Sequence, residues 1–453
     1  MIRTAAIFLF VCLFLPLHLL ALIGDWKTYT SKRSIRDISY SQGAIWLATS
    51  GGAVSYRLID SSYQDFTTSE GLRSISLTSV AISDNGSIFF GSSRGILHQY
   101  FPETGRWSYD YSLNQAQSVN NAINHLQIFG DTLVISSQLG VSLYLIHNNE
   151  FGDTYENFGL GVDQISGDAN EVLYVDGKIF VATRNGIASA NSNSINLRDP
   201  GVWNTFKTIA NVNSFGKMGS YILAATSNGL LYFSGGTWQP ISGTSGIDFI
   251  RFIGRNDSLF VVTTNSIFKI VSEQSLTQVE SFGSYFLTSV TTNGSNFIVG
   301  TSTNGFLTKK ENSTWEEHYA SGPMTNHFLS VAVDKNGVLW GGTNTAYTEG
   351  FHRFDGNHWL QNTSEVFNAY RTNVSNNNSA WSSSWGGGLA IFNSNGELNK
   401  IYTGANGLPP TTNYQTTCQP FPDNPFFSLP IGAVTDNADT TWVAMRSTFE
   451  GKN

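Results

Sequence analysis

The chain is poor in cysteine, in charge and in clustered metal-binding side chains, and each shortage removes a class of protein. Cys12 and Cys418 are its two cysteines, and Cys12 falls inside the apolar run that opens the sequence. Once that run is removed a single thiol remains, so the folded part has no internal disulfide and must hold by packing. No histidine lies near Cys418, which reads as an inert loop thiol rather than a nucleophile. Charged residues are 13% of the chain, about half the usual share; Gly, Ser, Asn and Thr fill the surface instead. A net charge of −8, with no basic stripe or polybasic run, argues against nucleic acid and against electrostatic docking on an anionic membrane.

Catalytic and metal signatures are missing too. The eight histidines are scattered, with no HxH, HxxxH or HExxH spacing, so zinc is not expected. There is no GxSxG elbow. Trp385-Gly386-Gly387-Gly388 lacks the lysine and the following helix that a phosphate loop requires. The turns Asp84-Asn85-Gly86 and Asp334-Lys335-Asn336-Gly337 lack the alternating carboxylates of a calcium loop and read as ordinary turns. Trp381 and Trp385 could stack on a sugar ring, but the core-filler reading is favoured over that one. No catalytic residue, no metal ligand and no cofactor is expected, and no ligand-binding residue is assigned.

What the chain has is a repeat. Residues 45–72, IWLATSGGAVSYRLIDSSYQDFTTSEGL, open with an apolar strand, turn at Ser50-Gly51-Gly52, return through a second strand and lead into a third. Glycine supplies the positive backbone angles that such a turn needs. The opening recurs as IFFGSSRGI from Ile88, VISSQLGV from Val134, FVATRNGI from Phe180 and ILAATSNGL from Ile222. The hairpin glycines Gly52, Gly95, Gly140, Gly186 and Gly229 stand 43, 45, 46 and 43 residues apart. Weaker copies follow at 259–263, where Asn265-Ser266 replaces the glycine turn, and at 298–305, 339–342, 381–388 and 441–444, making ten hairpin cores. Tryptophans mark the outermost strand just after a turn, as at Trp107, Trp203, Trp238, Trp315 and Trp359. A fourth strand is the apolar run before each hairpin, such as 77–82.

Three or four short antiparallel strands cannot bury a face alone, so each unit needs neighbours. A period of roughly 40–45 residues with four strands per unit is the β-propeller signature, whereas solenoid units usually run to roughly 20–30. The expected fold is all-β: a seven-bladed β-propeller of four-stranded blades over 24–320, then the start of a second, incomplete β-propeller over 321–453. Three blades do not close a ring, so the chain reads as the front part of a longer protein, truncated at its C-terminus. Within the second part, the proline-containing excursion at 403–431 has no strand pattern and is where partner contacts are expected.

The first residues set the destination. Arg3 precedes an apolar run over 5–23, broken by Pro16 and His18. This is the positive-then-apolar order of a secretory signal peptide, assigned to 1–22, with cleavage near Ala21. The run is also close to the length of a spanning helix; Pro16 and the lack of charge on its far side favour removal. No cysteine sits where a lipid anchor would attach. The mature chain is then exported, with no membrane span.

The ordered set of motifs resembles one family. Gly24-Asp25-Trp26-Lys27-Thr28-Tyr29, Ile45-Trp46-Leu47-Ala48-Thr49, Phe151-Gly152-Asp153-Thr154-Tyr155, Asp176-Gly177-Lys178-Ile179-Phe180, and the SSWGGGL stretch from Ser382 are similar to the PorZ-like family. Those proteins are surface components of the type IX secretion system of Bacteroidetes-type bacteria. Single units, such as 334–342, also resemble the broader two-component regulator propeller repeat. The resemblance implies two successive propellers and a small β-sandwich sorting module. It also implies partnership with a sortase-like protease and an outer-membrane shuttle protein, binding of anionic lipopolysaccharide, and no catalytic motif.

Three functions follow as expectations: a non-catalytic secretion component at the outer-membrane surface or in the periplasm, the glycan-sensing propeller of a hybrid two-component regulator, or a carbohydrate-active propeller enzyme. A kinase domain later in the gene would select the second. The domain reading has its own test: a fragment of residues 24–320 is expected to fold alone, with a β-type circular dichroism spectrum and one cooperative melt. An aggregated or unfolded fragment would place the boundary elsewhere.

Overall fold

Nine of the ten sequence repeats each become one four-stranded antiparallel sheet, whose strands follow one another in the chain, and the tenth is a two-stranded ladder among the described residues. The computed structural model describes residues 26–115, 121–209, 211–310, 314–343, 350–362, 369–408, 428–438 and 440–445. The stretch 1–22 read as a signal peptide, both cysteines and most of the 403–431 excursion lie outside the described residues. Within them are nine four-stranded sheets and two two-stranded ladders. The first seven four-stranded sheets form a closed ring. Neighbouring blades pack through their innermost strands, and the first of these, Ile35–Ser41, packs against the seventh, Leu287–Thr292.

Among the described residues no blade borrows a strand from the other end of the ring. Closure therefore rests on side chains. Ile35, Ile38, Leu47 and Val54 of blade 1 are buried in one cluster with Ile298 and Phe306 of blade 7. At about 2 kcal/mol for each fully buried aliphatic or aromatic side chain, this cluster stabilises the seam. The other seams are built alike. Trp46, Phe66, Phe90 and Tyr100 join blades 1 and 2, and Phe180, Phe215 and Trp238 join blades 4 and 5.

The hairpin copies share a side-chain device that explains why a hydroxyl residue ends the second strand so often. Thr49, Thr183 and Thr226 each donate their hydroxyl to the carbonyl of the glycine that opens the third strand, at 2.7, 2.8 and 2.8 Å. The same oxygens accept a turn N–H, from Gly51, Asn185 and Asn228. The two residues inside the Thr183–Gly186 turn stay out of the left-handed region; Gly186, the residue after them, has φ +151°.

One element is absent from the sequence expectation. Asn157–Phe158 pairs with Ile165–Ser166 in a small extra hairpin between blades 3 and 4. Two residues a side carry no alternation to detect. The hairpin nevertheless buries Phe158 and Ile165 against Trp203 in the core of blade 4, and it accounts for the longest step in the repeat.

Beyond the ring, two more four-stranded sheets, Phe328–Asn362 and Ala369–Tyr402 in extent, pack in series with the ladder Pro430–Thr435/Thr441–Met445. This is the start of a second propeller. Its first strand exposes Leu329, Val331 and Val333, and its last ladder exposes Val434 and Trp442, so apolar side chains face outward at both ends of the arc.

A Cβ at position 186 would lie 2.6 Å from Ile165 Cδ1 and 2.8 Å from the Phe206 carbonyl oxygen, on a backbone that disfavours side chains. Gly186→Val is expected to cost on the order of 1–3 kcal/mol, read as a lowered melting temperature. A shift no larger than that of an exposed control, Ser220→Ala, would refute the turn geometry.

Candidate functional site at the mouth of the first ring

Every innermost strand of the ring has a bulge after its first residue. The residue past the bulge is Asp37, Ser79, His125, Glu171, Ser214, Arg251 or Ser289, one from each blade. These seven stand at equivalent positions around the axis. Arg251 of blade 6 reaches past blade 7 to Asp37 of blade 1, Nη1 to Oδ1 at 2.6 Å. Ser289 of blade 7 donates to the same oxygen at 2.8 Å. The acceptors also serve the neighbouring blade. Asp37 takes the Val80 N–H, Glu171 the Phe215 N–H, and Ser214 the Phe252 N–H, at 3.0, 2.9 and 3.1 Å.

Burial shapes the protonation of this belt. It works to raise Asp37, but Arg251, His125, the Val80 N–H and the Ser289 hydroxyl outweigh it and hold the carboxyl below its usual range. Glu171 has weaker compensation, and burial pushes it up to about 7. Burial, helped by Arg251, pushes His125 down to about 3. A cluster of shifted acid and base groups is a candidate catalytic centre in principle. Here Asp37 is buried and has each oxygen engaged by neighbouring blades, so its carboxylate joins blade 1 to blades 2, 6 and 7.

The open site lies above it, where the inner strands begin. A cleft of about 770 Å³ separates the ring from the second arc. Arg33 and Arg36 line one wall with Ser34, Ser76 and Asn304, and His327 stands on the other. No carboxylate lines it among the described residues. The Arg33 guanidinium lies 4.0 Å from the centre of the Tyr319 ring, while Arg36 is exposed. Two guanidiniums, hydroxyls and amides, without an opposing acid, suit an anionic ligand rich in acceptors.

A strap over residues 26–34 contributes Ser31, Arg33 and Ser34 to the cleft. It is fixed to blade 1 through Lys32–Asp65 at 2.9 Å and to blade 7 through the Arg33 carbonyl, which accepts the Gly305 N–H. Ser31 ties it to the linker after the ring: its N–H donates to Asn326 Oδ1 and its hydroxyl to the Met324 carbonyl. His352 in turn accepts the Met324 N–H. Burial, with Arg33 nearby, pushes that imidazole down to about 4, in keeping with an acceptor role.

The residues singled out from the sequence fall elsewhere. Trp381 is half-buried in the strand Ala380–Ser384, and Trp385 lies in the turn beyond it, 44% exposed. They share no core face; Trp340 fills the core there instead. The Asp334 turn is an ordinary one, its Oδ1 accepting the Asn336 and Val338 N–H groups and its Oδ2 the Trp340 indole. No group of three or more His, Cys, Asp or Glu side chains able to hold a metal occurs among the described residues. The belt and Arg36 escaped the sequence reading because each is a single residue per repeat. Aligning the repeats on their bulges would have brought them into one column.

Comparison with solved structures places the architecture. A structure of PorZ, an essential bacterial surface component of the type-IX secretion system of Porphyromonas gingivalis, superposes with a TM-score of 0.73 at 16% identity, over 93% of this chain and 57% of that one. The chain shares the fold of that part of PorZ. The extracellular domain of the putative hybrid two-component system BT3049 from B. thetaiotaomicron superposes with a TM-score of 0.51 at 17% identity, over 92% of this chain and 58% of that one. The chain thus spans less than three fifths of either protein. No family model and no curated protein matches the sequence. No helix among the described residues is long and apolar enough to cross a membrane.

The belt makes a pH prediction. Folding raises Glu171 from its ordinary 4.5 to about 7, so between those values the folded chain binds the extra proton. Its contribution therefore falls as pH rises through that window, by as much as about 3 kcal/mol. The melting temperature of Glu171→Gln is expected to gain on that of the parent between about pH 5 and about pH 8. Parallel profiles would refute the raised carboxyl.

Proposed function

We propose that the chain is a non-catalytic, exported scaffold of a type IX protein secretion machinery, working at the outer-membrane surface or in the periplasm. The cleft at the mouth of the ring takes an anionic surface glycan of the lipopolysaccharide kind. The observation that carries this reading is the cleft lined by Arg33, Arg36 and His327, with no carboxylate among its described residues, and the likeness of the fold to that of PorZ supports it. The proposed protein partners are a sortase-like protease and an outer-membrane shuttle protein, met through loops on the rigid blades. Catalysis is not part of the proposal, because the carboxylates of the belt are engaged between blades. The likeness to BT3049 supports a second reading, ligand sensing by the outer part of a two-component regulator; a kinase domain in the same gene would select it.

Arg36→Glu is expected to weaken binding of purified anionic lipopolysaccharide by tenfold or more at low salt, with the melting temperature unchanged. In cells the same variant should accumulate unprocessed secreted cargo. Unchanged lipopolysaccharide binding would remove the cleft from the account, and normal cargo maturation would remove the secretion role.

A further inference from the structure

On the other side of the strap is a second, smaller cleft of about 280 Å³, between blade 1 and the first sheet of the second arc. Its chemistry differs from that of the mouth. The aromatic side chains Tyr29, Phe354 and Trp359 line it. Phe354 and Trp359 stack with centroids 4.6 Å apart, and Tyr29 leans on both, at 4.7 and 6.0 Å, while remaining 42% exposed. The charges in the cleft balance: Lys27 and Lys32 against Asp65 and Glu70. Lys32 and Asp65 neutralise each other directly. Glu70 uses Oε2 to accept the N–H and hydroxyl of Thr67, at 2.8 and 2.7 Å, so Oε1 is available to a ligand donor. The exposed Asn357 adds an amide at the rim.

We infer that this cleft is a subsite for an uncharged sugar ring. The apolar face of a pyranose packs on an exposed aromatic ring, and its hydroxyls match a carboxylate oxygen, an ammonium and an amide. The size fits one ring. Balanced charge selects a neutral ligand, since an anion would meet Glu70 and Asp65 and a cation would meet the two lysines. The strap forms a wall of both clefts, through Tyr29 and Lys32 on this side and Ser31 and Arg33 on the other. A glycan crossing it would place acidic units at the mouth and a neutral unit against Tyr29. The inference rests on the glycan reading of the mouth cleft only for that crossing; the neutral subsite stands by its own chemistry.

Saturation-transfer NMR on the full chain, with methyl glycosides of the common neutral hexoses and deoxyhexoses as probes, tests it. At least one probe should receive saturation and be displaced by its own excess. Tyr29→Ala and Asn357→Ala should each weaken that binding tenfold or more, Tyr29→Phe should retain it, and Arg36→Glu should leave it unchanged. Because Tyr29→Ala also loosens the strap, Asn357→Ala with an unaltered melting temperature is the deciding variant. No saturation of any probe, or equal binding by Asn357→Ala, would overturn the subsite. Loss of lipopolysaccharide binding in Arg36→Glu with sugar binding intact would separate the two clefts.

Discussion

The whole architecture depends on one seam, where the first blade meets the seventh. Many rings could close by exchanging a strand or by a disulfide; this one does neither among its described residues. Ile35, Ile38 and Val54 have to find Ile298 and Phe306 across more than 240 residues of chain. The entropy of closing so long a loop grows only slowly with its length, so a modest buried cluster suffices. The Asp37–Arg251 pair contributes differently. A buried ion pair roughly breaks even against its desolvation, so its effect lies in register, since it joins blades 6 and 1 across the intervening blade.

From that seam the strap emerges, and with it both clefts. Its backbone is pinned to the hairpins of blades 1 and 7, where the Ser50 N–H meets the Ser34 carbonyl and the Gly305 N–H meets the Arg33 carbonyl. Tyr29 then reaches the second arc and Ser31 the linker before it. A segment of nine residues thus sets the spacing of two large bodies. One side of it presents unopposed guanidiniums and the other a balanced, aromatic surface. The difference is one of composition within a few residues of chain, and it gives two neighbouring surfaces opposite charge preferences.

The ring was legible in the sequence because its signals repeat. The glycines from Gly52 to Gly229 recur at steps set by the geometry of a four-stranded blade, and the apolar runs before them alternate as inner strands do. Even the copy without glycine, at Asn265-Ser266, was legible from its flanking strands, and the structure builds it as Ser258–Thr263 and Ser266–Ser272. The Phe158–Ile165 hairpin was not legible, since two paired residues on each side give no period. Nor were the clefts. Arg36, Tyr29, Trp359 and His327 come together through the docking of two propellers, and nothing in their local sequence records that. Trp381 and Trp385 misled for a related reason: a spacing of four implies one strand face, whereas the strand ends at Ser384 and leaves Trp385 in the turn.

The inter-blade joint has a consequence for how such a chain can grow. Asp37 holds the Val80 amide, Glu171 holds that of Phe215, and in the second arc Ser330 holds that of Thr372. Acceptor and amide occupy adjacent positions on the same strand, so the unit of Ser214 and Phe215 carries both halves of the fitting, whereas that of Arg251 and Phe252, with no acceptor on the guanidinium, carries one. A duplicated gene segment encoding a unit of the Ser214 kind would arrive with its acceptor ready for the blade after it and its amide ready for the blade before. Blade number can then change by duplication or loss without inventing a contact, and a second propeller can begin on the far side of a linker by the same rule.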